Sequence, residues 1–319
     1  MRAHPILVAL TSVFLIGIAH AQYPAKAVRM VIPFPPGGAT DIVGRVVAQK
    51  LSERWGQPVV VENRPGAGGT IGSEAVAKSA PDGYTLLIAT TSTHAVGPVL
   101  QKLPYDALAD FTPITLLAHS PNVLVVSPQL GAGSLREVIA AAKARPGGLS
   151  FASSGNGTIT HLTGELFKLM AGVDLLHVPY KGTALSVPDI ASNRVSMLFD
   201  NSVSAQPHIR SGNVKPLAVT TTKRAALMPE LPTMAESGLP GFESSAWFGL
   251  FAPAALPADI RARVHEAALA ALNAPDAKER LVAAGADPAG DSSEDFVRQI
   301  RADMARWSGV VKAANVKVQ

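Results

Sequence analysis

The chain begins its regular patterning with a short apolar run, Ala27 to Ile32, that reads as a strand and breaks at once into Pro33-Phe-Pro-Pro-Gly-Gly38. The period then changes: Val43, Val47, Leu51 and Trp55 fall four apart, flanked by Ile42 and Val46. This is the buried face of a helix that Gly56 ends. Pro58 to Glu62 forms a second apolar strand, so the order strand, helix, strand predicts a βαβ unit with parallel strands. A glycine-rich turn, Arg64 to Gly72, leads into a helical stretch at Ser73–Ser79. Pro81-Asp-Gly-Tyr84 then turns the chain into a third strand, Thr85 to Ala89.

The stretch from Phe111 to Val126 is rich in β-formers but interrupted by His119-Ser-Pro-Asn122, which places a crossing into a second domain near Pro121. A helix with a Ser134-x-x-Glu137 capping box follows. Leu149 to Ala152 then reads as a strand, Ser153 to Thr160 as a polar and glycine turn, and His161 to Ala171 as a helix with Leu162, Leu166, Phe167 and Met170 on one face. Further strands are expected around Asp174–Thr183, at Val195–Asp200 and at Pro216–Val219, with a helix around Ser186–Ser192. The chain becomes apolar again at Ala246–Ala252, the expected return crossing, and ends in helices at Ala258–Asn273, Asp276–Ala284 and Ser292–Ala314. The expected organisation is α/β with two domains: 22–121 together with 246–319, and 122–245.

Residues 1–21 stand apart from this pattern. Arg2, the apolar run Pro5–Ile18 and the small-residue site Ala19-His-Ala21 have the form of an export signal cleaved after Ala21. The run, about 14 residues, is short for a retained membrane anchor, which is the alternative. Without Arg2 the 319-residue chain carries 27 Lys and Arg against 24 Asp and Glu, a balance of +3 spread without long runs. No basic element interleaved with aromatics is present, so nucleic acid is not an expected partner. The absence of cysteine excludes disulfides and thiolate chemistry.

Candidate chemistry lies at the strand ends. Met30-Val-Ile-Pro-Phe-Pro-Pro-Gly-Gly-Ala-Thr-Asp41 runs from a strand into a helix, a junction whose backbone N–H groups and helix dipole suit an anion. Ser153-Ser-Gly-Asn-Gly-Thr158 repeats that architecture in the second half, so two such helix starts could face one cleft. Ser92 and Thr93, beyond the third strand, are candidate contacts, because ligands of open α/β sheets sit past the carboxyl ends of strands. Asp200-Asn201-Ser202 could hold a ligand amine or hydroxyl, or cap the next helix. The glycines of 64–72 do not have dinucleotide-fold spacing and are expected to pack that loop close to the first one.

Two other chemistries have candidate residues in the chain. A Ser/His hydrolase would use Ser153 or Ser154 with His161 and Asp200, but no Gly-x-Ser-x-Gly elbow is present. A metal site from His94, His161 and His208 has no close ligand spacing such as His-x-x-x-His. No cofactor is expected.

Several blocks, among them YPAKAVRMVIPFPPGGATD, VVVENRPGAGGTIGSEAVAKSAPDGYTLL, SSGNGTITHLTGELF, VPYKGT and LPTMAESGLPGFESSAWFGLFAPAALP, resemble the periplasmic solute-binding receptors of tripartite tricarboxylate transporters, the Bug or TctC-like proteins. Ala27 stands where that family usually has proline. The resemblance implies a type II periplasmic binding protein, two α/β domains joined by hinge crossings, that closes on a small ligand and is not an enzyme. It implies a first clamp of Phe34, Pro36, Gly37, Gly38, Ala39 and Thr40, with Asp41 starting the helix. It implies a second clamp of Ser153, Ser154, Gly155, Asn156, Gly157 and Thr158, with His161 close behind and Asp200 discriminating among ligands. The implied ligand is a small organic carboxylate: a di- or tricarboxylate, an acidic amino acid or an aromatic acid. The implied partner is an integral-membrane permease, served by a monomer; a periplasmic sensor presenting the same ligand to a signalling partner is the alternative.

Overall fold

The computed structural model describes residues 23–316; the expected export signal lies outside them. The first half opens with β1 (Val28–Ile32), α1 (Ala39–Trp55), β2 (Val59–Asn63), α2 (Thr70–Ala77), β3 (Thr85–Thr90) and the short α3 (Gly97–Leu100). β1 pairs in parallel with both β2 and β3, as the βαβ pattern requires. The alternation of β1 explains its burial: Val28, Met30 and Ile32 join Val43, Val47 and Leu51 of α1 in one core, while Val31 faces a second core on the other side of the sheet.

The long strand β4 (Phe111–Val126) then runs without interruption where the sequence suggested a break. Its residues Phe111–Pro121 pair antiparallel with β9 (Ser245–Pro253), and Asn122–Val126 pair with β7 (Met197–Asn201). Pro121 sits where the partner changes, so its missing N–H falls at a handover in the ladder rather than in the middle of one.

Between β4 and β9 lie α4 (Leu135–Ala144), β5 (Ser150–Ser153), α5 (Ile159–Ala171), β6 (Leu176–Pro179), α6 (Val187–Ala191), β7, α7 (Ser202–Arg210) and β8 (Lys215–Val219). β5 pairs in parallel with β6 and β7, and β8 pairs with β4. Their two faces again carry separate cores, one around Leu124, Phe151, Phe167 and Phe199 and one around Val123, Ala152, Ile190 and Leu198. After β9 the chain returns to the first half through α8 (Ala258–Asn273), α9 (Pro275–Ala284), β10 (Asp287–Pro288) and α10 (Ser293–Ala313).

The main strand path is β2-β1-β3-β9-β4-β7-β5-β6, so β4 and β9 stand at its centre and β2 and β6 at its ends. Val96, Ile159, Leu162, Ala246 and Trp307 form a small apolar cluster between the two halves beside these central strands. Among the described residues no helix is long and apolar enough to cross a membrane.

Candidate functional site

Where β1, β3, β6 and β7 end, the turns of both halves enclose a cavity with about 530 Å³ of atom-free space, its mouth included. The first half contributes Phe34, Pro35, Pro36, Gly38, Ala39, Thr40, Thr90 and Ser92; the second contributes Ser154, Ile159, Gly182, Thr183, Ala184, Leu185 and Asn201; β9 adds Ala246 and Phe248. Among the described residues no charged side chain lines it.

The start of α1 is built to leave donors free. Its N-cap is Gly38, in extended conformation, and no side chain caps the first turn. The N–H groups of that turn therefore point out of the helix into the space that Gly38, Ala39 and Thr40 line. Asp41, the natural competitor for them, is engaged elsewhere. Its carboxylate accepts the Gly37 N–H at 3.0 Å, Arg45 Nε at 2.9 Å and Asn63 Nδ2 at 2.9 Å, and Asn63 also donates to the Phe34 carbonyl at 3.0 Å. Burial opposes ionisation of Asp41, but the bonds from Arg45, Gly37 and Asn63 outweigh it and hold the carboxyl below the usual carboxylate range. Asp41 braces the turn and does not line the cavity, and Gly37 is likewise absent from the lining.

The start of α5 behaves differently from the start of α1. Thr158 caps it through its own hydroxyl, which accepts the His161 N–H, and Ser92 Oγ takes the Ile159 N–H at 3.0 Å. Within the turn, the amides of Ser154, Gly155, Gly157 and Thr158 go to Thr160 Oγ1, Ser153 Oγ, His161 Nδ1 and the Gly155 carbonyl. Of the residues Ser153 to Thr158, only Ser154 lines the cavity. Ser153 is fully buried and bonds His177 Nε2 at 2.7 Å. Gly155 and Asn156 open onto a neighbouring groove with Gly66, Gly68 and Lys181.

In place of that turn, the second half presents Gly182 to Leu185. Gly182 precedes a single helical turn, Thr183–Ser186, and again no side chain caps it. The sequence contains the signal, a strand followed by Gly-Thr and a helix, but the turn at Ser153 resembled the first one more closely. Of the run Asp200-Asn201-Ser202, it is Asn201 that lines the cavity, and its Oδ1 is buried without a partner.

The remaining candidates are structural neighbours of the cavity. Thr93 Oγ1 accepts the Thr90 N–H at 3.0 Å and lies 2.9 Å from His94 Nδ1. Asp200 accepts the Asn201 N–H at 2.8 Å and the Ser204 hydroxyl at 2.6 Å, tying down the first turn of α7. Full burial pushes its carboxyl up to about 6, against the hydrogen bonds from Ser204, Thr183 and Asn201. His161 stacks on His177 with ring centroids 3.9 Å apart. Burial lowers these two to about 3 and about 4, respectively, so both are neutral at pH 7.

The hydroxyl of Ser154 is paired with Thr160 at 2.9 Å rather than with a histidine, and the serine that does meet a histidine, Ser153, has no exposed surface. His94 is enclosed by Tyr105, Phe111 and Phe251. Among the described residues no cluster of three or more His, Asp or Glu has metal-binding geometry.

Two α/β halves joined through β4 and β9, with a cavity at the facing strand ends, define a periplasmic binding protein, and solved structures of that class share the fold. The chain belongs to the tripartite tricarboxylate transporter family of receptors, whose profile matches residues 43–316. This is a family of solute receptors, not of enzymes. Protein BugT of Bordetella pertussis (strain Tohama I) is 40% identical over 299 residues, covering 93% of this chain and 92% of the relative. Among solved structures, R. palustris Rpa4515 with adipate is 40% identical at a TM-score of 0.90, covering 92% of this chain and 99% of that one. MatC from Rhodopseudomonas palustris with bound malate is 34% identical at a TM-score of 0.86, covering 91% of this chain and 100% of that one.

Proposed function

We propose that this protein captures a small organic carboxylate, with a dicarboxylate as the leading class, and delivers it to a membrane permease. The observation that carries this reading is the uncapped start of α1, aimed into a cavity that holds no charged side chain. A carboxylate there would receive several charge-assisted N–H bonds, each worth about 1.5–3 kcal/mol, without needing a buried counter-ion. The second uncapped turn, at Gly182, and the Asn201 side chain receive the other polar end, with Phe34, Ile159 and Phe248 supplying apolar walls between. The ligands of the adipate- and malate-bound relatives support this class.

Capture proceeds by closure of residues 22–121 and 246–319 on residues 122–245, with the change of partner along β4 at Pro121 and the start of β9 at Ser245 as the crossings. A ligand held by both halves favours the closed state by its contacts to each. The signal-like residues 1–21 and the family support export to the periplasm, where a monomer keeps both halves available to the permease. Titration calorimetry with adipate and malate tests the reading: saturable binding of at least one, accompanied by compaction in small-angle scattering, is expected. Absence of binding to both, or binding with an unchanged radius of gyration, contradicts it.

A further inference from the structure

The glycine-rich loop after β2 has no place in the cavity, yet it touches the other half at one side of the cleft. Gly68 lies against the turn after β5. A Cβ on it would stand 2.8 Å from the Asn156 carbonyl oxygen and 3.5 Å from Thr158 Cγ2. On another strand pair the same relation recurs in reverse. Gly182, after β6, faces Pro35, after β1, and a Cβ on it would stand 3.0 Å from both Cγ and Cδ of that proline. In the strand path β4 and β9 stand at the centre, and the strands that carry these contacts, β2 and β1 in one half and β5 and β6 in the other, lie away from it.

We propose that Gly68 and Gly182 are closure latches: positioning residues whose missing side chains let the two halves meet at the far ends of the sheet around a bound ligand. This rests on the proposed closing mechanism and adds to it that part of the closed interface is backbone packed on backbone and proline, beside the contacts the same turns make to the ligand. The two glycines differ in one respect that makes a clean experiment. Gly68 has φ +65°, where any side chain is strained, but Gly182 has φ 178°, which any residue adopts. Alanine at 182 therefore strains no backbone, and its methyl group meets Pro35 where the two halves touch.

The test uses Gly182→Ala and the double variant Pro35→Ala/Gly182→Ala, the second of which removes the two proline atoms that the new methyl group would meet. Because the chain has no cysteine, spin labels on Lys78→Cys in the first half and Ser192→Cys in the second report the distance between the halves without background. Adipate and malate are the probes.

Gly182→Ala is expected to melt where the wild type does without ligand, and to lose the short inter-label distance. It is expected to bind both probes about tenfold more weakly, the factor that about 1.4 kcal/mol of overpacking in the closed state alone produces. Pro35→Ala is expected to restore the short distance. If Gly182→Ala closes and binds as the wild type does, or loses one probe while keeping the other, the latch assignment is overturned, in the second case because the residue acts through the ligand. If the wild type itself keeps one unchanging distance with either probe, the closing mechanism fails, and the latch with it.

Discussion

Gly38→Asp sets two properties of the α1 start against each other. Gly38 is an N-cap with φ −81° and ψ 169°, a conformation open to any L-residue, and the nearest atom to a Cβ there is the Pro35 carbonyl oxygen at 3.7 Å. An aspartate therefore fits. As a cap it accepts one of the first-turn N–H groups and places a negative charge at the positive end of the helix dipole. Asp41 does not oppose it strongly, because Arg45 lies 2.9 Å from that carboxylate. A few tenths of a kcal/mol from the cap and about 0.3–1 from the dipole give a gain of about 0.5–1 kcal/mol. In a chain of this size that is a rise of about 1–3 °C in melting temperature.

The same carboxylate occupies the donors that the proposed carboxylate cradle would offer the ligand. Losing two charge-assisted bonds at the low end of their range, about 3 kcal/mol together, weakens binding by about 150-fold. Thermal melting without ligand and calorimetry with adipate read the two effects separately. A variant that binds adipate as the wild type does, or whose loss of affinity is matched by a fall in melting temperature, would show that the α1 start is not the carboxylate cradle.

Other perturbations separate the cavity from its supports. Thr158→Ala removes the cap of α5 and is expected to lower the melting temperature by about 2–4 °C, from about 1 kcal/mol. Calorimetry should find its adipate affinity within about threefold of the wild type, less than the roughly tenfold loss that one charge-assisted bond would cause. Gly249→Ala in β9 would bring a methyl group to 2.3 Å from the Phe296 ring, and denaturant melts should register about 1–3 kcal/mol of overpacking.

Asp200→Asn tests the buried carboxyl through pH. Between about pH 4 and 6 the folded state holds a proton on Asp200 that the unfolded chain has released, so this group makes stability fall as pH rises. His161 and His177, neutral when folded and protonated when unfolded, act in the opposite sense over the same window. Urea melts of Asp200→Asn should show stability rising more steeply with pH than in the wild type, and an equal or shallower slope refutes the assignment.

The parts of this fold that depend on local periodicity are legible in the sequence: the βαβ opening, the α1 face of Val43, Val47 and Leu51, and the Ser134 cap, which accepts the expected Glu137 N–H. The strand through Pro121 was read as interrupted, since its continuity depends on a change of partner that no local pattern records. The site divides in the same way. Gly38, Ala39 and Thr40 line the cavity because a glycine N-cap cannot satisfy its own helix, a fact visible in the sequence. The turn at Ser153 has the same residue types, but Thr158, Thr160 and His161 consume its amides, and only the folded geometry distinguishes a turn that offers donors from one that satisfies itself. Gly182 and Asn201 reach the cavity from strand ends whose neighbours in sequence are far from α1.

The most direct test of the central claim is a crystal structure of the wild-type protein with adipate. Carboxylate oxygens within about 2.7–3.2 Å of the amide nitrogens of the Gly38–Thr40 turn, with the other end of the molecule against Gly182–Leu185, are the predicted result. A carboxylate held instead by Lys181 or another cationic side chain outside the cavity, with the α1 amides facing water, would contradict it.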